Sequence, residues 1–525
     1  MSKNFIIQVI YFTFIDILLL LIIYCLSKIL NLHNLISNMK SKHFQDIFSM
    51  FKSYDLRGRV PILNSSVYYL MGIALVKCIL EPEKRETVVN VACDARNSSV
   101  EFYNSFCSGV ESAGGTVYSI GLGPTELMYC GCLLNGNSGA MITASHNPKG
   151  DNGCKMVKVI PEMIGLGSGL ELIRDFVIKE LENGFDIENV AISEFPEDTE
   201  LKEKCINLLI EKINLIGNLQ ETNQLFSEKN KEKKYKIVVD TANGMGGYVM
   251  PIIQKLYPEI EFIPLYWELD GNFPNHPADP IVPENLIDLQ KIVKSESANL
   301  GIAFDGDADR VFFIDENGKT INMESLIALF SKTFLESNFD NSAFNPAIVY
   351  VSSYSRATPE TVTAMGGAAI PSIQGHTNVK KSMKKYNAIY GGEASGHHYF
   401  GQFGFMDSGA LVIGLMLKII SKTDQKASQL LNFWNKTYFT SGEENYEIDP
   451  GLKMQNICES IEKAFPGGIY NTKDGISVFF PSYKFTIRMS NTSATKPIVR
   501  INVETKFTDF AIDKMNEIKK LLNLN

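Results

Sequence analysis

Thr143-Ala144-Ser145-His146-Asn147-Pro148 sets a single hydroxyl among small residues, an imidazole, an amide and a turn-forming proline. Just before it, Ser138-Gly139-Ala140-Met141-Ile142 reads as a small-residue approach followed by a short buried strand, so Ser145 falls in the loop that leaves that strand. Loops at strand ends commonly carry catalytic groups. Just after it, Lys149-Gly150-Asp151-Asn152-Gly153-Cys154-Lys155 adds two glycines that let the backbone approach a ligand, with a lysine on either side of them. A serine in that company suits phosphoryl chemistry, although the six residues alone also fit an ordinary Asx/Ser turn.

The flanking chain favours the first reading, because strand-and-helix units recur along it. Tyr54-Asp55-Leu56-Arg57-Gly58 ends an apolar-polar alternation in an arginine whose guanidinium could fork onto a phosphate or carboxylate, or simply face solvent. Val67 to Leu80 has helical spacing and Val88 to Cys93 reads as a buried strand. Asp94-Ala95-Arg96-Asn97-Ser98-Ser99 then turns into a helix with serines suited to its N-cap. The strand Thr116 to Ile120 leads to Gly121-Leu122-Gly123-Pro124-Thr125, completing an α/β alternation. After a polar region around Asp186 to Thr199 the pattern restarts with helical spacing from Leu201 to Ile216. The charged run Ser227 to Lys234 reads as a solvated loop insertion, and Lys236 to Asp240 as a strand. The glycine-rich turn Thr241 to Gly247 reads as close strand-helix packing rather than a phosphate cradle. Asn275-His276-Pro277-Ala278-Asp279-Pro280 is a rigid loop without an assigned use.

Leu300 to Phe304 is a strand that runs into Asp305-Gly306-Asp307-Ala308-Asp309-Arg310. Three carboxylates at alternate positions can converge from one tight loop on a hard cation, with Mg²⁺ the first choice. The glycine and terminal glutamate of an EF-hand are missing, which leaves a solvated acidic turn as the alternative. Further on, Ala347 to Val351 is a strand, and Gly375-His376-Thr377-Asn378-Val379-Lys380 starts a helix. Ala388 to His398 is a strand that ends in the polar loop Glu393-Ala394-Ser395-Gly396-His397-His398. That loop suits sugar hydroxyls and acid-base chemistry, with metal binding by the paired histidines as a competing reading. The last unit differs. Gly475 to Phe480 and Lys484 to Arg488 read as an antiparallel pair, Ile498 to Glu504 adds a strand, and Arg488 to Lys496 between them has the makings of a phosphate clamp.

At 525 residues the chain should divide into roughly three to five domains. Its 45% hydrophobic and 21% charged residues suit a globular protein, and its net charge of −9 argues against general nucleic-acid binding. Nine scattered cysteines imply neither a disulfide framework nor a zinc site, and fit a reducing, cytoplasmic compartment. Phe5 to Leu30 is almost continuously apolar and longer than the ~20 residues of a membrane span, with Asp16 near its middle. Lys28, Lys40 and Lys42 follow it while only Lys3 precedes it, so an anchor would leave the large C-terminal part in the cytosol. An N-terminal extension outside the working protein is the other reading, and the association with a membrane depends on it.

Together the serine loop, the carboxylate triplet, the Glu-Ser-His loop and the clamp, in that order, resemble the α-D-phosphohexomutase family from about Phe44 to the C-terminus. Gly392 to Phe400 with Met406-Asp407-Ser408-Gly409 looks most like its bacterial phosphomannomutase/phosphoglucomutase branch. The resemblance implies three related α/β domains plus a smaller C-terminal α+β domain around a central active-site cleft. The divisions expected are 1–43 (apolar segment), 44–192, 193–319, 320–436 and 437–525. It also implies Ser145 as phosphoserine and metal ligand, with Asp305, Asp307 and Asp309 as the Mg²⁺ ligands. Arg57, His146, Lys155, Arg310 and His397 are then catalytic, Lys155 as a proton-transfer group. Tyr54, His376, Glu393 and Ser395 bind the sugar phosphate, and Arg488, Ser490, Asn491 and Thr492 grip its distal phosphate. The substrates expected are hexose phosphates, the intermediate and activator a hexose 1,6-bisphosphate, and the assembly a monomer or homodimer without nucleic acid. Ala308 stands where the family often has glycine. Phosphoglucosamine mutase, a metal-dependent phosphatase and a membrane-tethered scaffold are the competing functions.

Overall fold

A computed structural model describes residues 42–524, apart from 232–233, 338–344, 354, 450, 473–474 and 490–496. It contains four sheets, and the first three share one plan. In the first, Val88–Cys93 lies parallel between Thr116–Leu122 and Ser138–Ile142, and Asp151–Val159 returns antiparallel beside Ser138–Ile142. In the second, Tyr235–Asp240 lies parallel between Ile260–Leu265 and Leu300–Phe304, and Val311–Asp315 returns antiparallel. In the third, Ala347–Val351 lies parallel between Ala368–Ser372 and Tyr390–Gly392, and His398–Phe400 returns antiparallel. The serine loop, the carboxylate loop and the Glu-Ser-His loop are therefore the same topological feature three times over, the link from the last parallel strand to its antiparallel return. The fourth sheet is wholly antiparallel, in the order Tyr438–Glu447, Ile498–Lys506, Tyr483–Met489, Ile476–Phe479, Ile469–Asn471.

Burial explains why these strands read as they do. Ser138–Ile142, Leu300–Phe304 and Tyr390–Gly392 are buried along their whole length, as central strands covered on both faces must be. One apolar cluster runs from Met128 and Met141 through Val239 and Phe304 to Phe330 and Leu411, so the three α/β domains share a core that fixes their loops relative to one another. The C-terminal sheet keeps a separate core around Phe485, Ile501 and Met515.

Some expectations are corrected. Ser227 to Lys229 is helix, not loop, because Leu219–Lys229 buries Thr222 and Phe226 on one narrow stripe. Ser98 holds the N-cap of Ser99–Ser112 but makes no side-chain cap bond, and Ser99 Oγ instead donates to the Asp94 carboxylate. Val67 to Leu80 is helical throughout, passing from an α-helix, Ser65–Ala74, into a π-helix, Leu75–Leu80. The glycine-rich turn serves packing as expected: a Cβ on Gly247 would lie 2.0 Å from the Trp267 carbonyl, and one on Gly244 2.8 Å from the Gly306 carbonyl. No helix among the described residues is long and apolar enough to cross a membrane, and the Phe5 to Leu30 segment lies outside them.

Candidate active site

Ser145 is 1% exposed and sits with φ of +52°, a left-handed conformation that side chains seldom adopt and that surrounding contacts must hold. Thr143 Oγ1 accepts the Ser145 amide at 2.9 Å, and the buried Arg96 Nη2 donates to the Ser145 carbonyl at 2.6 Å. The same guanidinium also donates to the carbonyls of Asn147, Pro148 and Asp151 at 2.8 to 3.0 Å, and Asp94 holds its Nε at 3.1 Å. From the second domain Gly306 closes over this loop, where a Cβ would meet the Ser145 carbonyl at 2.3 Å.

So placed, Ser145 Oγ donates to Asp305 Oδ2 at 2.8 Å, receives Arg310 Nη2 at 3.3 Å and lies 3.3 Å from His146 Nδ1. Arg310, 2% exposed, also pairs with Asp305 through Nε at 2.8 Å. Arg57 Nη1 reaches the Ala144 carbonyl at 3.1 Å and Asn147 Oδ1 at 3.2 Å, and its guanidinium pairs with Asp55 at 2.9 Å. Lys155 Nζ is shared by Asp307, at 2.6 Å, and Asp309. Burial alone would push this ammonium down, but the two carboxylates outweigh it and hold its pKa well above the usual lysine range. Asp305 goes the other way: burial lifts it to about 7, against the pull of Arg310.

The third loop joins from the far side. His397 pairs backbone-to-backbone with Arg310, its Nε2 lies 3.7 Å from Asp309 Oδ1, and its Nδ1 lies 3.0 Å from Ser395 Oγ. Glu393 accepts the Gly375 amide at 2.8 Å and the Tyr399 hydroxyl. Tyr54 packs over Gly375, donates to the Gln374 carbonyl at 3.0 Å and meets the His376 ring edge-on, linking the first domain to the third. Burial, then the nearby cations, hold His146, His376 and His397 well below the usual imidazole range, so all three are neutral at pH 7. His398 does not pair with His397 as a metal site. It turns inward, with Nδ1 2.6 Å from the Tyr390 hydroxyl.

The carboxylates fit a divalent cation. Asp305, Asp307 and Asp309 each bring an oxygen within 4.8 Å of the others, and Asp307 Oδ1 and Asp309 Oδ1 are buried without a hydrogen-bond partner. An all-oxygen set with spare acceptors suits a hard ion such as Mg²⁺. Ala308 keeps the turn between the second and third aspartates at φ +65°, where glycine would be unstrained.

The structure brings Tyr54, Arg57, Ser145, His146, Lys155, the three aspartates, Arg310, His376, Glu393, Ser395 and His397 into one connected set of contacts. No described contact joins Arg488 to them: it lies in the C-terminal sheet with Nη2 2.6 Å from Glu443. Ser490, Asn491 and Thr492 lie outside the described residues. Four neighbours went unassigned in the sequence. Arg96 shapes the serine loop, and Thr125 donates to Asp307 Oδ2 at 2.6 Å. Asp407 brings a carboxylate within 4.8 Å of Asp309 and His397, and Lys380, fully buried, pairs with Asp407 at 3.1 Å.

Residues 49–164 match the family described as Phosphoglucomutase/phosphomannomutase, alpha/beta/alpha domain I, residues 216–318 its domain II and residues 322–437 its domain III. A phosphomannomutase of Vibrio cholerae is 32% identical, with 90% of this chain and 98% of its own length covered. One of Escherichia coli K12 is 32% identical, covering 87% and 94%. The crystal structure of a phosphoglucomutase/phosphomannomutase family protein from Burkholderia thailandensis superimposes with a TM-score of 0.73 at 25% identity, covering 91% of this chain and 98% of that one. With all three α/β domains matched and relatives aligned along nearly their whole length, the chain belongs to the phosphoglucomutase/phosphomannomutase family of α-D-phosphohexomutases, which are isomerases.

Proposed function

We propose that the protein is a phosphomannomutase that interconverts mannose 6-phosphate and mannose 1-phosphate and also accepts glucose phosphates. The observation that carries this reading is the seating of Ser145 Oγ between Asp305 and Arg310, beside a lysine shared by Asp307 and Asp309. In the working enzyme Ser145 carries phosphate. The bond from phosphorus to Ser145 Oγ breaks as one forms to the free sugar hydroxyl, giving a hexose 1,6-bisphosphate. The bisphosphate then turns in the cleft and returns its other phosphate to Ser145.

Phosphoryl transfer calls mainly for positioning and charge stabilisation, and Arg57 and Arg310 supply both beside the serine loop. Asp305, Asp307 and Asp309, with Ser145 Oγ, would hold Mg²⁺, which when bound supplies positive charge beside the phosphate oxygens. Lys155 hands a proton to the oxygen that loses the phosphoryl group and takes one from the oxygen that receives it, with neutral His397 as the second transfer group. Glu393 and Ser395, with Tyr54 and His376 behind them, hold ring hydroxyls in either orientation. Arg488, with Ser490, Asn491 and Thr492, grips the phosphate that is not reacting. All eight described cysteines are free thiols, which supports a working place in the reducing cytoplasm.

Full-length protein with Mg²⁺ and a trace of glucose 1,6-bisphosphate should convert mannose 1-phosphate and glucose 1-phosphate to their 6-phosphates, and Ser145→Ala should not. Release of free phosphate without isomerisation would make the protein a phosphatase and sink the proposal. The ratio of the two rates measures the sugar preference.

A further inference from the structure

The loop from Trp267 to Pro280, whose second half the sequence leaves without an assigned use, reaches from the second α/β domain onto the first. A Cβ on Gly271 would lie 2.5 Å from the Ala95 carbonyl and 2.6 Å from the Asn97 amide, and Asn97 Nδ2 donates to Asn272 Oδ1 at 2.9 Å. Two residues beyond Gly271, the centre of the Phe273 ring lies 5.1 Å from the guanidinium carbon of Arg96. That is cation–π range, and the attraction is strongest where the cation is kept from water. Arg96 is 2% exposed, with the edge of its guanidinium engaged by the carbonyls of Ser145, Asn147, Pro148 and Asp151, so the ring covers a face that those bonds leave open. Farther along the loop, the Ala278 methyl stands 3.6 Å from where a Cβ on Gly306 would be. The Ser145 carbonyl is held by Arg96 Nη2 and overlain by Gly306, so this one loop stands behind both of its contacts.

The loop is itself held from the strand Tyr235–Asp240 and the turn that follows it. Asn243 accepts the Asp270 amide at 3.0 Å through its carbonyl and Asn275 Nδ2 at 2.8 Å through Oδ1, and its own Nδ2 donates to the Glu268 carbonyl at 2.8 Å. Asn243, Tyr266 and Phe273 stand at φ of +58°, +57° and +46°, left-handed backbone that such contacts must maintain. His276 completes the attachment. Its Nδ1 lies 2.9 Å from the Pro277 carbonyl and its Nε2 3.0 Å from Oδ2 of the buried Asp240. A carbonyl only accepts, so Nδ1 carries a proton; an ionised carboxylate only accepts, so Nε2 carries one too. Burial opposes this imidazolium, but Asp240, the Pro277 carbonyl and, more distantly, Asp288 outweigh it and hold the pKa above the usual imidazole range. Asp288 is also the acceptor for the hydroxyl of Tyr266, whose ring meets that of His276 edge-on.

We infer that Trp267 to Pro280 is a strap through which the second domain sets the serine loop, with Phe273 seating Arg96 and His276 pinning the strap to Asp240. Phe273 and His276 are thus positioning residues for phosphoryl transfer, a role that rests on the reading of Ser145 as the phosphorylated serine. Neither touches a reacting atom. Without the ring, Arg96 is free to tilt and the Ser145 backbone with it. Without its second proton, His276 turns a lone pair on the Asp240 carboxylate and the pin is lost. The pin is therefore present below the ordinary imidazole range and fails as pH rises through the raised pKa.

The test compares full-length wild type, Phe273→Leu, Phe273→Tyr and His276→Gln in two ways. Hydrogen exchange of the peptides covering Thr143 to Asp151 needs no turnover. It should be about tenfold faster in Phe273→Leu and in His276→Gln at pH 6, and near wild type in Phe273→Tyr, which keeps the ring. Phosphorylation of Ser145 by glucose 1,6-bisphosphate, followed by intact mass, and steady-state kinetics on mannose 1-phosphate read the chemistry. Phe273→Leu should lower kcat about tenfold with KM within about twofold, and the kcat ratio of wild type to His276→Gln should be largest at pH 6 and shrink towards pH 9. Unchanged exchange in Phe273→Leu would overturn the strap, and so would a raised KM at unchanged kcat; a ratio that does not vary with pH would overturn the pin. A wild type that takes no phosphate on Ser145, while the variants still loosen the loop, would overturn the reading of Ser145 and leave the strap standing. Thermal unfolding identifies a variant that fails to fold; should Phe273→Leu be one, His276→Gln, at a side chain 15% exposed, decides by the same exchange measurement.

Discussion

Ser145 Oγ donates a 2.8 Å hydrogen bond to Asp305 Oδ2 across 160 residues of sequence. The first two α/β domains are thereby joined at the hydroxyl proposed to carry phosphate. Behind that bond Gly306 has no side chain, which lets the carboxylate loop close onto the Ser145 carbonyl. The hydroxyl, one of the metal-capable carboxylates and Arg310 therefore meet at one point.

Replacing Asp305 with asparagine keeps an oxygen for Ser145 Oγ but removes a charge from the triplet. kcat should fall by about 10²- to 10³-fold, the scale for losing one preorganised electrostatic group, and thermal stability should fall too, because the buried Arg310 loses its charged partner. Removing divalent ions with a chelator should abolish turnover, and added Mg²⁺ should restore it in the wild type at a lower concentration than in Asp305→Asn. Equal Mg²⁺ requirements in the two enzymes would count against Asp305 as a ligand.

Arg96 serves the same serine through its backbone, since one planar guanidinium holds four carbonyls of the loop. Lysine carries the charge but cannot present that fork. Arg96→Lys should therefore slow phosphorylation of Ser145 by glucose 1,6-bisphosphate, followed by intact mass, and lower kcat about tenfold or more at an unchanged KM. A variant that loses KM and kcat together would point to general loosening of the domain instead.

Ser145 and the three aspartates were legible in the sequence because each sits in a short, chemically distinctive loop straight after an apolar strand. The fold class followed from the same alternation of strand and helix. Arg96, Thr125, Lys380 and Asp407 were not legible, since each is a single polar residue whose partners, from 27 to 182 residues away for Lys380 with Asp407 and Thr125 with Asp307, are set by tertiary packing and by no local pattern. Charge misled in the opposite sense at Ser227 to Lys229, where a run of polar residues hides a helix that needs only Thr222 and Phe226 to anchor it. Arg488 was legible as an arginine near a loop, but its engagement by Glu443 depends on a strand register that no local pattern encodes.

Lys380 and Asp407 form a wholly buried ion pair, with the Tyr129 hydroxyl at 3.1 Å from the same ammonium. Removing one partner strands the other charge, so Lys380→Met should cost about 3 to 5 kcal/mol in urea unfolding. The double variant Lys380→Met, Asp407→Leu should recover much of that loss, because two apolar side chains leave no unpaired charge. A double variant as unstable as the single one would mean that the pair is tied into a wider network through Tyr129 and Asp309.

Two buried groups set opposite pH dependences on stability. Burial lowers His398 to about 3, below the 6.5 expected of an unfolded chain, so its contribution is present above pH 6.5 and is lost as pH falls through that window. Burial raises Glu126 to about 8 where its carboxylate meets the Ser408 hydroxyl and the Ala410 amide at the start of Gly409–Ser421, so its contribution is present below about pH 4.5 and is lost as pH rises towards 8. Within these windows each group changes stability by about 1.4 kcal/mol per pH unit. Urea unfolding at pH 5.5, 6.5 and 7.5 should show His398→Gln losing less stability on acidification than the wild type. Glu126→Gln should gain on the wild type as pH rises, since it removes a carboxyl that the unfolded chain ionises and the folded chain keeps neutral. Parallel pH profiles for the wild type and His398→Gln would show that the buried imidazole takes no part in acid unfolding, which would then fall to His146, His376 and His397.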